Sequence, residues 1–377
     1  MRATVLTDRA LARHAGRFVW LSIDTENEKS AGFLGTYPWE AVPTFEVIDP
    51  ASGKVVYRWA GAVTTKQLVQ RFDEAERAFA SASGSEAESL YLRAARLGAE
   101  GKAAEAAAAY EDALRNGHAN AASRARAAEA LVFALAQSDQ NEACARRAME
   151  LGPTLAQGGS RANVAATGLD CALGADEKAS WRAGAIPVLE GEVRQALTFD
   201  GLLSDDAAGL RSALVDARDR QGDVAGAKAA ALDLLAFLEA DAKKAPSAEA
   251  RAALDGYRVS AATAAGDPAR ALAPLTASEH DLPGDYNPPS RLAIVYRELG
   301  RDDDALAASD RALAKVYGPR KLTVLDARAT IYEKSGHVAD AKATLEQAIT
   351  YAKELPDSQR PKRTVARLEK RLAGMAN

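Results

Sequence analysis

Gly300-Arg-Asp-Asp-Asp-Ala305 and Gly336-His-Val-Ala-Asp-Ala341 share the pattern that decides the fold of most of the chain. In each stretch a glycine is followed five positions later by an alanine, and another alanine stands seven positions after that. Glycine permits a tight turn between two helices, and alanine lets the second helix pack closely against the first. The pattern therefore predicts a repeated pair of antiparallel helices.

The same spacing recurs in other parts of the chain. It is clear after Gly101, and weaker copies follow Gly222 and Gly266. Segments built in this way resemble tetratricopeptide repeats (TPR). The resemblance is weaker between residues 121 and 285 and good for three segments, 87–120, 286–319 and 322–355. It implies that residues 87–377 form a TPR-like α-helical solenoid, because one such helix pair cannot bury its apolar stripe alone.

The resemblance also implies where a partner binds. In such repeats the first helix of each pair lines a concave face that takes an extended peptide. The residues at the corresponding positions are mostly polar or charged, and they are Asn287, Ser290, Ile294, Arg297, Thr323, Asp326, Thr330 and Glu333. We expect a protein or peptide partner in this groove. The basic segment 360–375 is interpreted as a polar capping helix, with a basic interaction patch as the alternative.

Residues 1–80 differ in composition from the rest of the chain. Three runs rich in β-branched and aromatic residues predict strands, and they are Phe18–Ile23, Thr44–Ile48 and Val55–Trp59. The turn residues Asp49–Gly53 lie between the last two runs and predict a β-hairpin. Helices are expected at Thr7–His14 and Thr65–Phe79. This small α/β unit is followed by a linker at residues 81–86.

A more specific resemblance starts at Val42-Pro43-Thr44-Phe45. A strand, a turn, a second strand ending near Gly61 and a helix follow it, and this order resembles the C-terminal half of thioredoxin-like proteins. The resemblance covers most of residues 1–80. It implies a partial thioredoxin-like domain, a cis peptide bond before Pro43, and the family's third strand at Phe18–Ile23. The expected fold class is therefore mainly α, with a partial α/β domain before the solenoid.

The redox chemistry of that family requires a Cys-x-x-Cys motif at a helix N-terminus. Residues 1–80 contain no cysteine, so we name no catalytic residue in the chain as given. Met1 and Val5–Asp8 stand where one subgroup of the family has the residues that follow the motif. The sequence then either begins inside a longer thiol–disulfide oxidoreductase of bacterial redox homeostasis or contains a degenerate domain that serves as a docking platform. For the chain as given we expect a protein-interaction scaffold.

The two cysteines of the chain lie in the helical part, on either side of the turn-forming stretch Gly152–Ser160. If residues 140–150 and 161–173 are antiparallel helices, Cys144 and Cys171 are nearly symmetric about the turn. That placement permits a structural disulfide in an exported protein. Two buried free thiols are the alternative.

Composition argues against several other functions. A net charge of −4 gives no electrostatic case for nucleic acid. The four histidines are scattered without ligand spacing, and no nucleotide-binding or hydrolase motif occurs, so we expect no metal and no cofactor. The apolar runs are too short to span a membrane. No signal peptide follows Met1, so we expect the cytoplasm, or the periplasm if a signal peptide lies upstream.

Overall fold

The structure is a computed structural model that describes residues 5–39, 42–80, 86–116 and 120–375. It is mainly α-helical, and its two strands form one antiparallel hairpin in the described part of the chain. The chain forms two compact units. Unit 1 comprises Met1–Phe18 and Trp39–Leu234, and unit 2 comprises Val19–Pro38 and Leu235–Asn377. Residues 81–85 of the predicted linker lie outside the described residues, and the predicted domain limits near residue 80 remain a prediction.

The strands are β1 (Thr44–Ile48) and β2 (Val55–Ala60). The helices, in chain order, are α1 (Ala31–Thr36), α2 (Thr65–Ala80), α3 (Glu86–Ala99), α4 (Ala103–Asn116), α5 (Ala121–Gln137), α6 (Asn141–Leu151), α7 (Gly159–Gly174), α8 (Arg182–Ala196), α9 (Ser204–Arg220), α10 (Val224–Ala242), α11 (Ala248–Ala252), α12 (Asp255–Ala264), α13 (Leu272–Asp281), α14 (Asn287–Glu298), α15 (Asp302–Leu313), α16 (Arg320–Lys334), α17 (Val338–Glu354) and α18 (Lys362–Gly374). Short 3₁₀ helices occur at Arg9–His14, Glu28–Ser30, Gly152–Thr154, Pro268–Ala271 and Asp357–Gln359.

The predicted hairpin is confirmed. β1 pairs antiparallel with β2, and Phe45 lies opposite Trp59 with their rings stacked 4.5 Å apart. Gly53 closes the turn with a φ of +68°, and its amide donates to the carbonyl of Asp49 at 2.8 Å. A left-handed φ of this kind favours glycine. The peptide bond between Val42 and Pro43, just before β1, is cis.

The strand predicted at Phe18–Ile23 is wrong. These residues form no regular element and pair with no strand among the described residues, and Val19 and Leu21 are 90% and 71% exposed. Their composition favours a strand, but a strand also requires a neighbouring backbone that takes its hydrogen bonds. The helix predicted at Thr7–His14 is shorter than expected, since only Arg9–His14 forms a 3₁₀ helix.

The helical pairs of unit 1 pack through small residues. Helices α3 to α9 lie against their neighbours along the chain in a stack of antiparallel pairs. Ala106 and Ala113 of α4, predicted to face a neighbouring helix, are both buried. Gly168 of α7 lies so close to α6 that a Cβ at this position would overlap the side chain of Ala148. Residues without bulk at these positions therefore set how closely the helices approach.

Helices α6 and α7 are also linked covalently. Cys144 of α6 and Cys171 of α7 form a disulfide with their Cα atoms 6.2 Å apart. Both side chains are buried within the apolar core of unit 1. The bond therefore joins the two helices of one pair at their packed faces.

Unit 2 ends in two regular helical pairs and one further helix. Helix α14 packs on α15, α16 packs on α17, and the four alanines of the repeat pattern in these pairs are fully buried, namely Ala305, Ala312, Ala341 and Ala348. Helix α18 packs against α17 and places Leu368 in the same core as Leu325 and Leu345. This arrangement matches the expected TPR-like pairs followed by a capping helix.

The close approach at Gly168 leads to a direct test. Gly168→Ala forces α6 and α7 apart, and we expect it to lower the free energy of unfolding by about 1–3 kcal/mol. Gly191→Ala is the matched control, because Gly191 lies inside α8 with nothing near its missing Cβ. That variant should gain about 0.5–1 kcal/mol from the better helix former. Urea unfolding measures both, and equal effects of the two substitutions would contradict this packing.

Candidate functional site

The eight residues predicted to line a peptide groove lie on α14 and α16, the first helices of consecutive pairs. Thr323 is exposed and the other seven are half-buried. On α14, Asn287 donates from its backbone and its side chain to Asp285 at 2.8 Å, and Arg297 pairs with Glu298 at 2.5 Å. The two helices lie side by side, so the structure places the predicted residues on one stretch of unit 2.

Three of the groove residues on α16 are held by α18. Arg371 donates to Asp326 Oδ1 at 2.5 Å, to Thr330 Oγ1 at 2.9 Å and to Glu333 Oε2 at 2.5 Å. Arg367 adds an ion pair with Asp326 at 2.9 Å. An arginine fork that satisfies several acceptors at once gives the helix a fixed position. The predicted groove residues that α18 does not hold are therefore Thr323 and the four on α14.

A second surface of unit 2 binds a segment from far away in the sequence. We call it the loop site, and it consists of Tyr317, Gly318, Arg320, Ser358 and Gln359, from the connections α15–α16 and α17–α18 and the start of α16. The segment that it holds, residues 24–31, lies within Val19–Pro38, a stretch that belongs to unit 2 although the chain before and after it belongs to unit 1. We call these residues the bound segment.

Main-chain atoms form most of this contact. The side-chain amide of Gln359 donates to the carbonyls of Thr25 and Asn27, both at 2.9 Å. Ser358 Oγ donates to the carbonyl of Ala31 at 2.9 Å. Gln359 is only 6% exposed, so these hydrogen bonds satisfy an amide that water scarcely reaches.

Acidic side chains of the bound segment meet donors on the loop site. Tyr317 donates its hydroxyl proton to Asp24 Oδ2 at 2.6 Å, and this hydrogen bond raises the pKa of Tyr317 to about 12. Arg320 pairs with Glu26 at 3.1 Å. Burial raises the pKa of Glu26, and the Arg320 guanidinium opposes that shift. The loop site thus recognises the segment by charge as well as by its backbone.

Gly318 is the point of closest approach. Its φ is +59°, and a Cβ at this position would overlap the backbone carbonyl oxygen of Glu26. A residue without a side chain is needed where two backbones pass at this distance. Sequence reasoning missed Gly318, because nothing local indicates a contact with a residue nearly 300 positions away.

In unit 1 the α/β piece lies against the first helical pairs through Arg126 of α5. Its guanidinium donates to the carbonyl of Arg58 in β2 at 2.6 Å. The same group stacks over the ring of Tyr57 at 4.6 Å and over that of Tyr91, in α3, at 4.0 Å. A buried arginine between two aromatic rings and a carbonyl joins these elements specifically.

A group of carboxylates lies on α5 and α9 of unit 1. Asn163 of α7 donates to Glu129 Oε1 of α5 at 2.7 Å. Burial, together with the nearby charges of Glu129 and Asp205, raises the pKa of Asp206 to about 6. Burial also raises the pKa of Glu129. These carboxyls therefore titrate at higher pH than exposed ones, and the uncharged forms are favoured in the fold.

Neither a metal-binding cluster nor a membrane-spanning helix occurs within residues 5–39, 42–80, 86–116 and 120–375. No cluster of His, Cys, Asp and Glu side chains in that part of the chain has an arrangement that could hold a metal ion. No helix there combines the length and the apolar character needed to cross a membrane.

Comparison with known proteins gives little further information. No protein-family model matches the chain, and no curated protein matches it. Among solved structures it is similar to a tetratricopeptide repeat protein from Parabacteroides merdae, with a TM-score of 0.46 and 12% sequence identity over 77% of this chain and 99% of that chain. A likeness at this TM-score and identity does not indicate a function.

The raised pKa of Asp206 predicts a pH-dependent stability. A carboxyl whose folded-state pKa lies above its unfolded value of 3.8 stabilises the fold as pH falls from about 6 to about 4. At pH 7.5 the charged form costs stability, so Asp206→Asn should raise the free energy of unfolding by about 1–2 kcal/mol, allowing for partial exposure. Urea unfolding at pH 7.5 and pH 4.5 measures this gain, which should shrink at the lower pH. Asp200→Asn, at an exposed position, is the control, and an equal gain at both pH values would contradict the assignment.

The approach at Gly318 predicts that a small side chain releases the bound segment. In Gly318→Ala the new methyl group displaces the backbone of Glu26, and amides 24–31 should exchange hydrogen for deuterium faster. Gly336→Ala is the matched control, because Gly336 also has a positive φ, +80°, with nothing near its missing Cβ. It adds the same backbone strain without the overlap. Unchanged exchange of residues 24–31 in Gly318→Ala would show that the segment is not held there.

Proposed function

We propose that the protein is an interaction scaffold whose helical repeats bind a protein or peptide partner. One observation carries the proposal: unit 2 already holds residues 24–31 by hydrogen bonds from Gln359 and Ser358 to main-chain carbonyls. A surface that binds the backbone of a remote chain segment is able to bind a peptide. The stacked pairs provide the rigid frame for such a surface.

The open part of the groove is proposed as the main partner site. It combines the hydroxyl of Ser290, the apolar side chain of Ile294 and the guanidinium of Arg297 on α14 with the exposed Thr323 on α16. A peptide that offers an apolar side chain and hydrogen-bond acceptors fits this set. Helix α18 limits the groove at its other end, because its arginines occupy Asp326, Thr330 and Glu333.

The role of residues 1–80 is proposed from the thioredoxin-like resemblance. In the chain as given this part has no cysteine, and both cysteines of the chain form the disulfide between α6 and α7. We therefore propose a platform that supports the first helical pairs through Arg126, rather than a redox centre. A thiol–disulfide oxidoreductase with its motif upstream is the alternative. The disulfide supports an oxidising compartment such as the periplasm.

Site-specific photocrosslinking in cells tests the groove. A benzophenone amino acid at Ser290 or Thr323 should give a discrete adduct with a partner, since both positions face the proposed site. The same amino acid at Thr350 of α17, an exposed position on the second helix of the pair, is the control. Absence of adducts at both groove positions, or adducts of the same size and yield at Thr350, would contradict the proposal.

A further inference from the structure

We propose that the loop site is a binding site for an acidic peptide of a partner protein, and that the bound segment occupies it as an internal substitute. This surface is separate from the groove on α14 and α16. It is formed by the connections between helical pairs, around Gly318 and Gln359. The proposal rests on the chemistry of the loop site and on the way the bound segment fills it.

Every side chain that bonds the segment from the loop site acts as a donor. The donors are the hydroxyls of Tyr317 and Ser358, the amide of Gln359 and the guanidinium of Arg320. The matching acceptors are backbone carbonyls and the carboxylates of Asp24 and Glu26. A surface that presents donors and a positive charge complements a peptide with acidic residues.

Most hydrogen bonds of the loop site do not depend on which side chains its ligand carries. Three of the five hydrogen bonds described above go to carbonyls of Thr25, Asn27 and Ala31, which any peptide can offer in the same conformation. Only the carboxylates of Asp24 and Glu26 are specific to the segment. A partner peptide with two acidic residues two positions apart, followed by a helical turn, satisfies the same set.

The loop site has a reason to stay occupied. Without a ligand, the amide of Gln359 loses both of its carbonyl acceptors, and water has to replace them. Because Gly318 has no side chain, the backbone of the bound segment can pass close beside it. A partner peptide that replaces the bound segment can form the same hydrogen bonds. It can therefore compete with the bound segment for the loop site.

Four of the described residues just before the bound segment make no hydrogen bond. Within the described residues no hydrogen bond involves Val19, Leu21, Ser22 or Ile23. The side chains of Val19 and Leu21 are largely exposed. Departure of residues 24–31 breaks the contacts of the loop site and disturbs the packing of α1, with its buried Leu34, against Asp357–Gln359.

A peptide-binding experiment tests the proposal with the full chain. Residues 24–31 are replaced by eight glycine and serine residues, which removes the carboxylates of Asp24 and Glu26 and leaves the donors of the loop site in place. The probe is a fluorescein-labelled peptide with the sequence of residues 22–33, followed by fluorescence anisotropy. We expect it to bind the replaced chain at least about tenfold more tightly than the wild type, whose own segment competes.

Two further changes make the result decisive. Gly318→Val in the replaced chain should weaken binding at least about tenfold, and Gln359→Ala should weaken it without adding bulk. A peptide with lysine in place of both acidic residues is the control and should not bind. Thermal unfolding shows whether each chain is folded. A folded replaced chain that binds no peptide, or binding that neither substitution weakens, would overturn the proposal, while the crosslinks expected at Ser290 and Thr323 test the groove independently.

Discussion

A pair of amphipathic helices covers only part of its own apolar surface, and this constraint shapes the whole structure. Each pair must pack against a further element, and the approach is close because alanine and glycine stand at the contacts, as at Gly168 against Ala148. The stack in unit 2 ends with α18, which adds Leu368 to the last core and presents a polar outer face. In unit 1 the β-hairpin and α2 form their own core and join the helices through Arg126. The connections between pairs remain at the edge of the stack, where the loop site is found.

The sequence was sufficient for features that depend on neighbours along the chain. The glycine–alanine spacing identified the helical pairs, and the turn at Asp49–Gly53 identified the hairpin, because both signals are local. It failed at Phe18–Ile23, where composition favours a strand but no adjacent backbone completes one. The sequence also showed that the last helix is basic, but it did not show which residues its arginines bind. The pairing of Arg371 with Asp326 depends on how α18 lies on α16, which no local pattern encodes.

The loop site shows why part of a candidate site stays hidden from sequence reasoning. Its contacts join residues about 300 positions apart, and most of them use backbone carbonyls, which are the same in every sequence. Gly318 is distinctive only after the backbone of Glu26 is placed beside it. A single sequence therefore predicted that the repeats bind a peptide and placed it on α14 and α16. The structure adds that a peptide-like segment is already bound, at the connections between the pairs.

Unit 2 holds the segment around Glu26 in one position, through Tyr317, Arg320 and Gln359. Double electron–electron resonance tests this position directly, with spin labels on cysteines introduced at the exposed positions Lys29 and Lys353. The native cysteines do not take the label, because they are joined in a disulfide. We expect one narrow distance distribution for the protein with Gly318 and a broad one for Gly318→Val. A broad distribution with the native glycine, or a narrow one that the substitution leaves unchanged, would contradict it.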